Sequence, residues 1–212
     1  MRTHHVTCDD DVELLAALAS SRDAGFEPLV RAYQRRVYGL ALRLSASPQD
    51  AEEIAQDTFV RAYRALAGYG NDQIRALALR AWLYRIALNV FHNRVRVRRV
   101  PTSPLELDDG DGPALRIEDG DPRAHPEQML IASEAERELA ALVATLPRHL
   151  RVALVLRHVE GLGYAEIATL LDAPVGTVKA HVHRGARLLR TSLEAHNREE
   201  AQREEAKVEA LR

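Results

Sequence analysis

With 212 residues, 46% of them hydrophobic, the chain can build one or two modest cores, and two small domains fit as well as one. Its single cysteine, Cys8, excludes an internal disulfide framework; the start MRTHHVTCDDD lacks the apolar core of a signal peptide, and no apolar run reaches membrane-spanning length, so a soluble cytoplasmic protein is expected. The formal net charge of -2 argues against a nucleic-acid binder only until its distribution is followed, because basic and acidic residues are segregated along the chain.

Aromatics make up only 5%, and long Ala, Leu, Arg and Glu patterns with few β-branched runs predict an all-α fold. His4, His5 and Cys8 have metal-ligating chemistry, but no fourth ligand accompanies them and no metal site is expected. A short helix is predicted from Asp11 to Ser20, interrupted by Ser21 to Gly25. Phe26, Leu29, Val30, Tyr33, Val37, Leu40, Ala41 and Leu44 then recur at helical spacing and stop at Ser45-Ala46-Ser47-Pro48. Ser47 as N-cap, Pro48 in the first turn and the acids Asp50, Glu52 and Glu53 near the positive helix end announce the next helix.

That helix, Pro48 to about Ala67, is expected to bury Ala51, Ile54, Ala55, Thr58, Ala62 and Leu66, leaving Glu53, Gln56, Asp57, Val60 and Arg64 outside. Glu53 and Asp57 stand one turn apart, a like-charge spacing that costs a few tenths of a kcal/mol. Beside the apolar Val60, the pair points to a partner surface, with a solvated face as the alternative.

After a loop from Gly68 to Asp72, the arginines at 75, 80, 85, 94, 96, 98 and 99 form a basic block, with no acidic residue from Gln73 to Leu105. On a helical projection Leu83, Ile86, Ala87 and Val90 turn to a core, whereas Trp82, Arg85, Asn89, His92, Asn93, Arg96 and Arg99 share the other side. That mixture suits a nucleic-acid strand: Arg meets phosphate, Trp stacks on a base and Asn hydrogen-bonds base edges. A core Trp capped by solvated arginines is the alternative.

From Pro101 to Gln128, prolines, glycines and many acids read as a flexible acidic linker. The expected layout is therefore an N-terminal extension over 1–20, a helical domain over 21–100, the linker over 101–128, a second helical domain over 129–193 and a charged tail over 194–212. In the second domain Leu139, Leu142, Val143 and Leu146, then Val152, Leu154, Val155 and Val159, supply packing helices. Tyr164, Ile167, Ala168 and Leu171 form the next short helix, broken at Asp172-Ala173-Pro174. The last begins near Val175, with Val175, Val178, Val182, Ala186 and Leu189 as its apolar stripe and Thr177, Ala180, His181, Arg184 and Arg187 opposite. Two such helices around a tight turn make a helix-turn-helix with a basic reading face suited to the major groove. The tail beyond Leu193, with few apolar residues and many charges, is expected to be a solvated extension of the last helix or a frayed end, with partner binding as the alternative.

Taken together, DAEEIAQDTFVRAYRAL with WLYRIALNVFHNRVRVRR, and LPRHLRVALVLRHVEGLGYAEIATLL with PVGTVKAHVHRGARLLR, make the chain similar to bacterial RNA polymerase sigma factors of the sigma-70 family. The resemblance is to the small extracytoplasmic-function (ECF) group, which retains only regions 2 and 4, and it covers most of the chain. It implies two helical domains and a protein that binds core RNA polymerase, so that the holoenzyme recognises and opens promoter DNA, with a cognate anti-sigma protein as a further partner. It places core polymerase binding on Asp50, Glu53, Gln56 and Asp57. It places the minus-10 reader on Trp82, Arg85, Asn89, Asn93, Arg96 and Arg99, and the minus-35 reader on Thr177, Lys179, His181, Arg184 and Arg187. The loop from Gly68 to Gln73 matches the one that receives a flipped base. Family members often carry Ser-Arg where this chain has Ala180-His181, and a basic residue where it has Ala186, which is expected to weaken or redirect recognition. Asp172 stands where a turn Gly is common, and Asp tolerates left-handed backbone well.

Two other readings compete: a helix-turn-helix repressor or response-regulator-like activator, and a nucleic-acid enzyme. The first would not need the assembly from Asp50 to Arg99. For the second no Ser-His-Asp, carboxylate-pair or metal-ligand spacing is found, so neither catalytic residues nor a cofactor are expected.

Overall fold

A computed structural model describes residues 8–98 and 134–209. Every regular element among them is helical: α1 (Cys8–Ser20), α2 (Arg22–Ser45), α3 (Pro48–Leu66), α4 (Asn71–Arg75), α5 (Leu79–Arg98), α6 (Glu134–Thr145), α7 (Arg148–Leu154) running on as a π-helical stretch (Val155–Val159), α8 (Tyr164–Leu171) and α9 (Val175–Glu209). The chain divides into two compact units, Met1–Glu106 and Leu107–Arg212, in keeping with the all-α expectation. The acidic stretch from Pro101 to Gln128 lies outside the described residues.

The first unit shows why Gly25 is not a break. Ser21 caps α2 by accepting a hydrogen bond from the Ala24 N–H at 3.3 Å, so the helix already runs through Gly25. A Cβ at Gly25 would sit 2.5 Å from the Leu18 backbone nitrogen, and its absence lets α2 lie directly against α1. Leu15, Leu18 and Ala19 of α1 are buried, and the Tyr33 hydroxyl donates to Asp11 at 2.6 Å. α1 therefore contributes to the core. Burial and this bond push the Tyr33 phenol far above its ordinary value.

Ala46 ends α2 in the left-handed conformation, and the Ser47 hydroxyl then accepts from the Asp50 N–H at 3.3 Å, with Pro48 in the first turn of α3. Ala51, Ile54, Thr58, Ala62 and Leu66 are buried as their spacing predicts, while Ala55 is only half-buried. α3 packs on α2 and α5. The buried arc of α5 is wider than predicted: Tyr84, Leu88 and Phe91 join Leu83, Ala87 and Val90 inside, and Ile86 is half-buried. Asn71 and Asp72, expected in the loop, instead open the short helix α4, with Ile74 buried.

In the second unit Leu150, Ala153, Leu156, Leu162, Ile167, Val178 and Val182 form the core. Arg151 is buried there and closes the end of α6, donating to the Ala144 carbonyl and, at 3.1 Å, to that of Leu146. Three expected core positions are displaced. Val159 is 49% exposed, because over Val155–Val159 the helix widens into π geometry and a wider turn carries position 159 past the core. Leu139 is 44% exposed on α6. Val175 is exposed too; the inner stripe of α9 instead includes Gly185, where an added Cβ would lie 3.4 Å from the Leu150 carbonyl. Asp172 closes α8 at φ 51°, in the left-handed region anticipated for it. α9 continues without interruption beyond Leu193, with Glu199 and Arg203 exposed.

Candidate functional site

Three acids of α3, Asp50, Glu53 and Asp57, lie on the side facing α5, whereas Glu52 lies toward Tyr38 of α2. Asp50, Glu53 and Asp57 recur at three- and four-residue spacing and so form one stripe. Arg94 of α5 reaches into it, pairing with Glu53 and lying 3.9 Å from Asp50 Oδ1 and 4.0 Å from Asp57 Oδ2. The repulsion that the bare spacing of Glu53 and Asp57 implies is thus offset within the chain. The Asp50 side chain is only 13% exposed, against 56% for Glu53 and 48% for Asp57, so an approaching partner meets the latter two. Gln56 is exposed beside them and, with Phe26, Phe59, Val60 and Tyr63, borders an open apolar groove between α2 and α3. Val30 and the basic Arg64 complete the lining of the groove, and none of the three acids lines it.

On the outer side of α5, Arg85, Asn89 and Asn93 are exposed. Trp82 is half-buried, its ring tilted 55° to that of Tyr69 with centroids 6.3 Å apart. Trp82 is thereby neither fully core nor freely projecting, and Tyr69, missed in the sequence, extends its aromatic surface. The signals for it were an aromatic between Gly68 and Gly70 and its place in the loop from Gly68 to Gln73 that the resemblance singles out. Arg96 belongs to α5, and Arg99 lies outside the described residues.

On α9, Thr177, Arg184 and Arg187 are exposed, and His181 is half-buried with its ring edge-on to that of His149 at 4.8 Å. Lys179, although exposed, stands apart from that group. Its ammonium is 5.8 Å from the Tyr164 ring centre, over which Arg157 also lies at 4.8 Å. The structure therefore gathers Thr177, His181, Arg184 and Arg187 on one face and places Lys179 in a second cationic cluster with Arg157. Backbone placement supports both: the Gly163 N–H donates to Glu166 Oε2 at 2.6 Å at the start of α8, and the Val178 N–H donates to the Pro174 carbonyl at 3.1 Å at the start of α9.

Burial first, then the neighbouring His149 and the Arg184 charge, hold the His181 imidazole below its ordinary value of 6.5. The unfolded chain then binds protons before the folded one, so folding loses stability as pH falls through about 6.5 and levels off below the folded value. His181→Gln is expected to narrow the drop in melting temperature of the second unit between about pH 7.5 and about pH 5.5. Circular-dichroism melts at both pH values check this, and an unchanged gap removes His181 from the effect.

Among the described residues, no group of three or more His, Cys, Asp and Glu could hold a metal ion, and no helix is long and apolar enough to cross a membrane.

The family models for Sigma-70 region 2 and Sigma-70, region 4 match residues 29–100 and 136–189. The chain is 34% identical over 201 residues to the RNA polymerase sigma-H factor of Pseudomonas aeruginosa, covering 92% of this chain and 99% of that one. It is 37% identical over 180 residues to the ECF RNA polymerase sigma factor SigE of Mycolicibacterium smegmatis, 84% of this chain and 65% of that one. To the ECF RNA polymerase sigma-E factor of Escherichia coli K12 it is 33% identical over 180 residues, 82% and 89% of the two chains. Similar folds occur in CnrH, solved in complex with the cytosolic domain of CnrY (TM-score 0.60, 23% identity, 88% of this chain and 99% of that one). The sigma factor RpoE of Bartonella quintana, solved with the anti-sigma factor NepR, is a second (TM-score 0.57, 20% identity, 80% and 96%). A freestanding helix-turn-helix regulator would leave the region 2 match unexplained. With both region matches in order, a relative aligned over nearly its whole length and another named as an ECF factor, the chain belongs to the sigma-70 family of RNA polymerase sigma factors, in its extracytoplasmic-function group.

Proposed function

We propose that this sigma factor meets core RNA polymerase with the exposed carboxylates of Glu53 and Asp57 and the amide of Gln56, with Asp50 behind them. In the same reading it contacts the minus-10 element through Trp82, Arg85, Asn89, Asn93, Arg96 and Arg99, and the minus-35 element through Thr177, His181, Arg184 and Arg187. Lys179 then serves the phosphate backbone beside Arg157. The observation that carries this reading is the pairing of opposite chemistries on one packed scaffold. α3 presents acids and α5 presents amides and cations, and the two helices share a core, so a partner held by one face positions the other. Phosphate contacts set register and amide or Arg contacts to base edges set sequence. The protein is an initiation factor without catalytic residues of its own, acting in the cytoplasm with promoter DNA and core polymerase, and a cognate anti-sigma protein is its regulator.

Transcription with purified core polymerase, on fragments spanning the gene's own upstream region, tests the reading. Initiation above core alone is expected, and its absence would count against it. In the same assay Arg184→Ala should lower initiation about tenfold or more on templates that depend on the minus-35 element, the worth of one bidentate base contact. A loss equal on every template would make Arg184 a phosphate contact only.

A further inference from the structure

Arg94 has no role in either surface just described, yet it joins them. It leaves the DNA-facing helix α5 on the side turned to α3 and stands among three carboxylates, paired with Glu53 and within 3.9 Å of Asp50 and 4.0 Å of Asp57. Exposure divides the trio. Asp50 is largely covered and stands at 3.9 Å, whereas Glu53, which holds the guanidinium most closely, and Asp57 each keep about half of their side-chain surface in solvent, where a second cation can reach them. A carboxylate has lone pairs enough for two donors, but its field is shared between them.

We propose that Arg94 is an internal counter-cation that competes with core polymerase for Glu53 and Asp57 and so sets core affinity below what these acids alone would give. The inference rests on the reading that the acidic face of α3 meets a basic polymerase surface. A cation approaching that face lies within a Debye length, about 8 Å at physiological salt, of both the acids and Arg94. The positive charge of Arg94 therefore cancels about one of the negative charges that attract the partner. Removing it restores that charge, which strengthens binding and makes it more sensitive to salt.

The test is a titration of core polymerase with the labelled full-length chain at low and physiological ionic strength. Arg94→Gln is expected to tighten binding roughly three- to tenfold and to steepen its salt dependence, while Arg94→Lys, which keeps the charge, stays within about twofold of the parent. In a Glu53→Gln, Asp57→Asn background the gain from Arg94→Gln should shrink, because the carboxylates it would free are gone and only the loss of one long-range positive charge remains. Arg94→Met keeps the aliphatic stem against α3 and is expected to tighten binding in the same way, which covers the case in which Arg94→Gln melts below the parent. If Glu53→Gln with Asp57→Asn leaves the parent's core affinity unchanged, the acidic-face reading falls and this inference with it. If that pair weakens core binding but neither Arg94→Gln nor Arg94→Met tightens it, the inference alone is overturned.

Discussion

Glu53→Lys combined with Asp57→Lys is expected to weaken binding to core polymerase by about 100-fold or more at physiological salt, because two close attractions become two repulsions and coupled charge pairs at interfaces are worth about 1.5 kcal/mol or more each. Arg94 complicates the variant. It keeps only Asp50 of its three acidic neighbours and acquires two lysines beside it. Both substituted side chains are about half exposed, so water screens that repulsion and the loss in stability should stay near or below about 1 kcal/mol. A binding titration beside a thermal melt separates the two effects. A large fall in affinity with a melting temperature lowered by only a few degrees is the expected pair of results. Unchanged affinity would take Glu53 and Asp57 out of the interface.

Gly25→Val should destabilise the first unit by about 3 kcal/mol, at the upper end of overpacking penalties. An added Cβ would come within 2.5 Å of the Leu18 nitrogen and 2.7 Å of the Ala17 carbonyl carbon, and backbone atoms cannot swing aside as a flexible side chain can. α1 must therefore move off α2, exposing Leu15 and Leu18 and pulling Asp11 away from the Tyr33 hydroxyl. For a domain of this size the melting temperature should fall by roughly 10 °C or more. Trp82, the chain's single tryptophan, lies in this unit and reports its unfolding by fluorescence. A variant melting with the parent would mean that α1 does not pack at Gly25 as the structure has it.

Both experiments turn on how separate helices meet, α1 against α2 at Gly25 and α5 against α3 at Arg94, and helix-to-helix approach is not written in local sequence. Helix starts and stops were legible because they depend on neighbours. Ser47, Pro48 and the acids after them mark α3 as clearly in the sequence as in the structure, and Asp172 could be assigned to left-handed backbone from its residue type. The buried faces of α3 and much of α5 followed from helical period. So did the outward face of α9 that carries Thr177, His181, Arg184 and Arg187, whereas Lys179, which only the resemblance grouped with them, leans on Tyr164 from a different element.

By itself, then, the sequence determined the all-α class, the order of the helices, the basic block after the acidic helix, and two motif pairs that belong to one family. These rest on local propensity, period and capping, which act within a turn or two of helix. Only the tertiary structure decided that Gly25 is a contact rather than a break and that Val159 turns outward. It alone paired His149 with His181 and set Arg94 against the acids of α3. Each of these depends on how two helices approach or how wide one turn becomes, distances that no local pattern in the chain encodes.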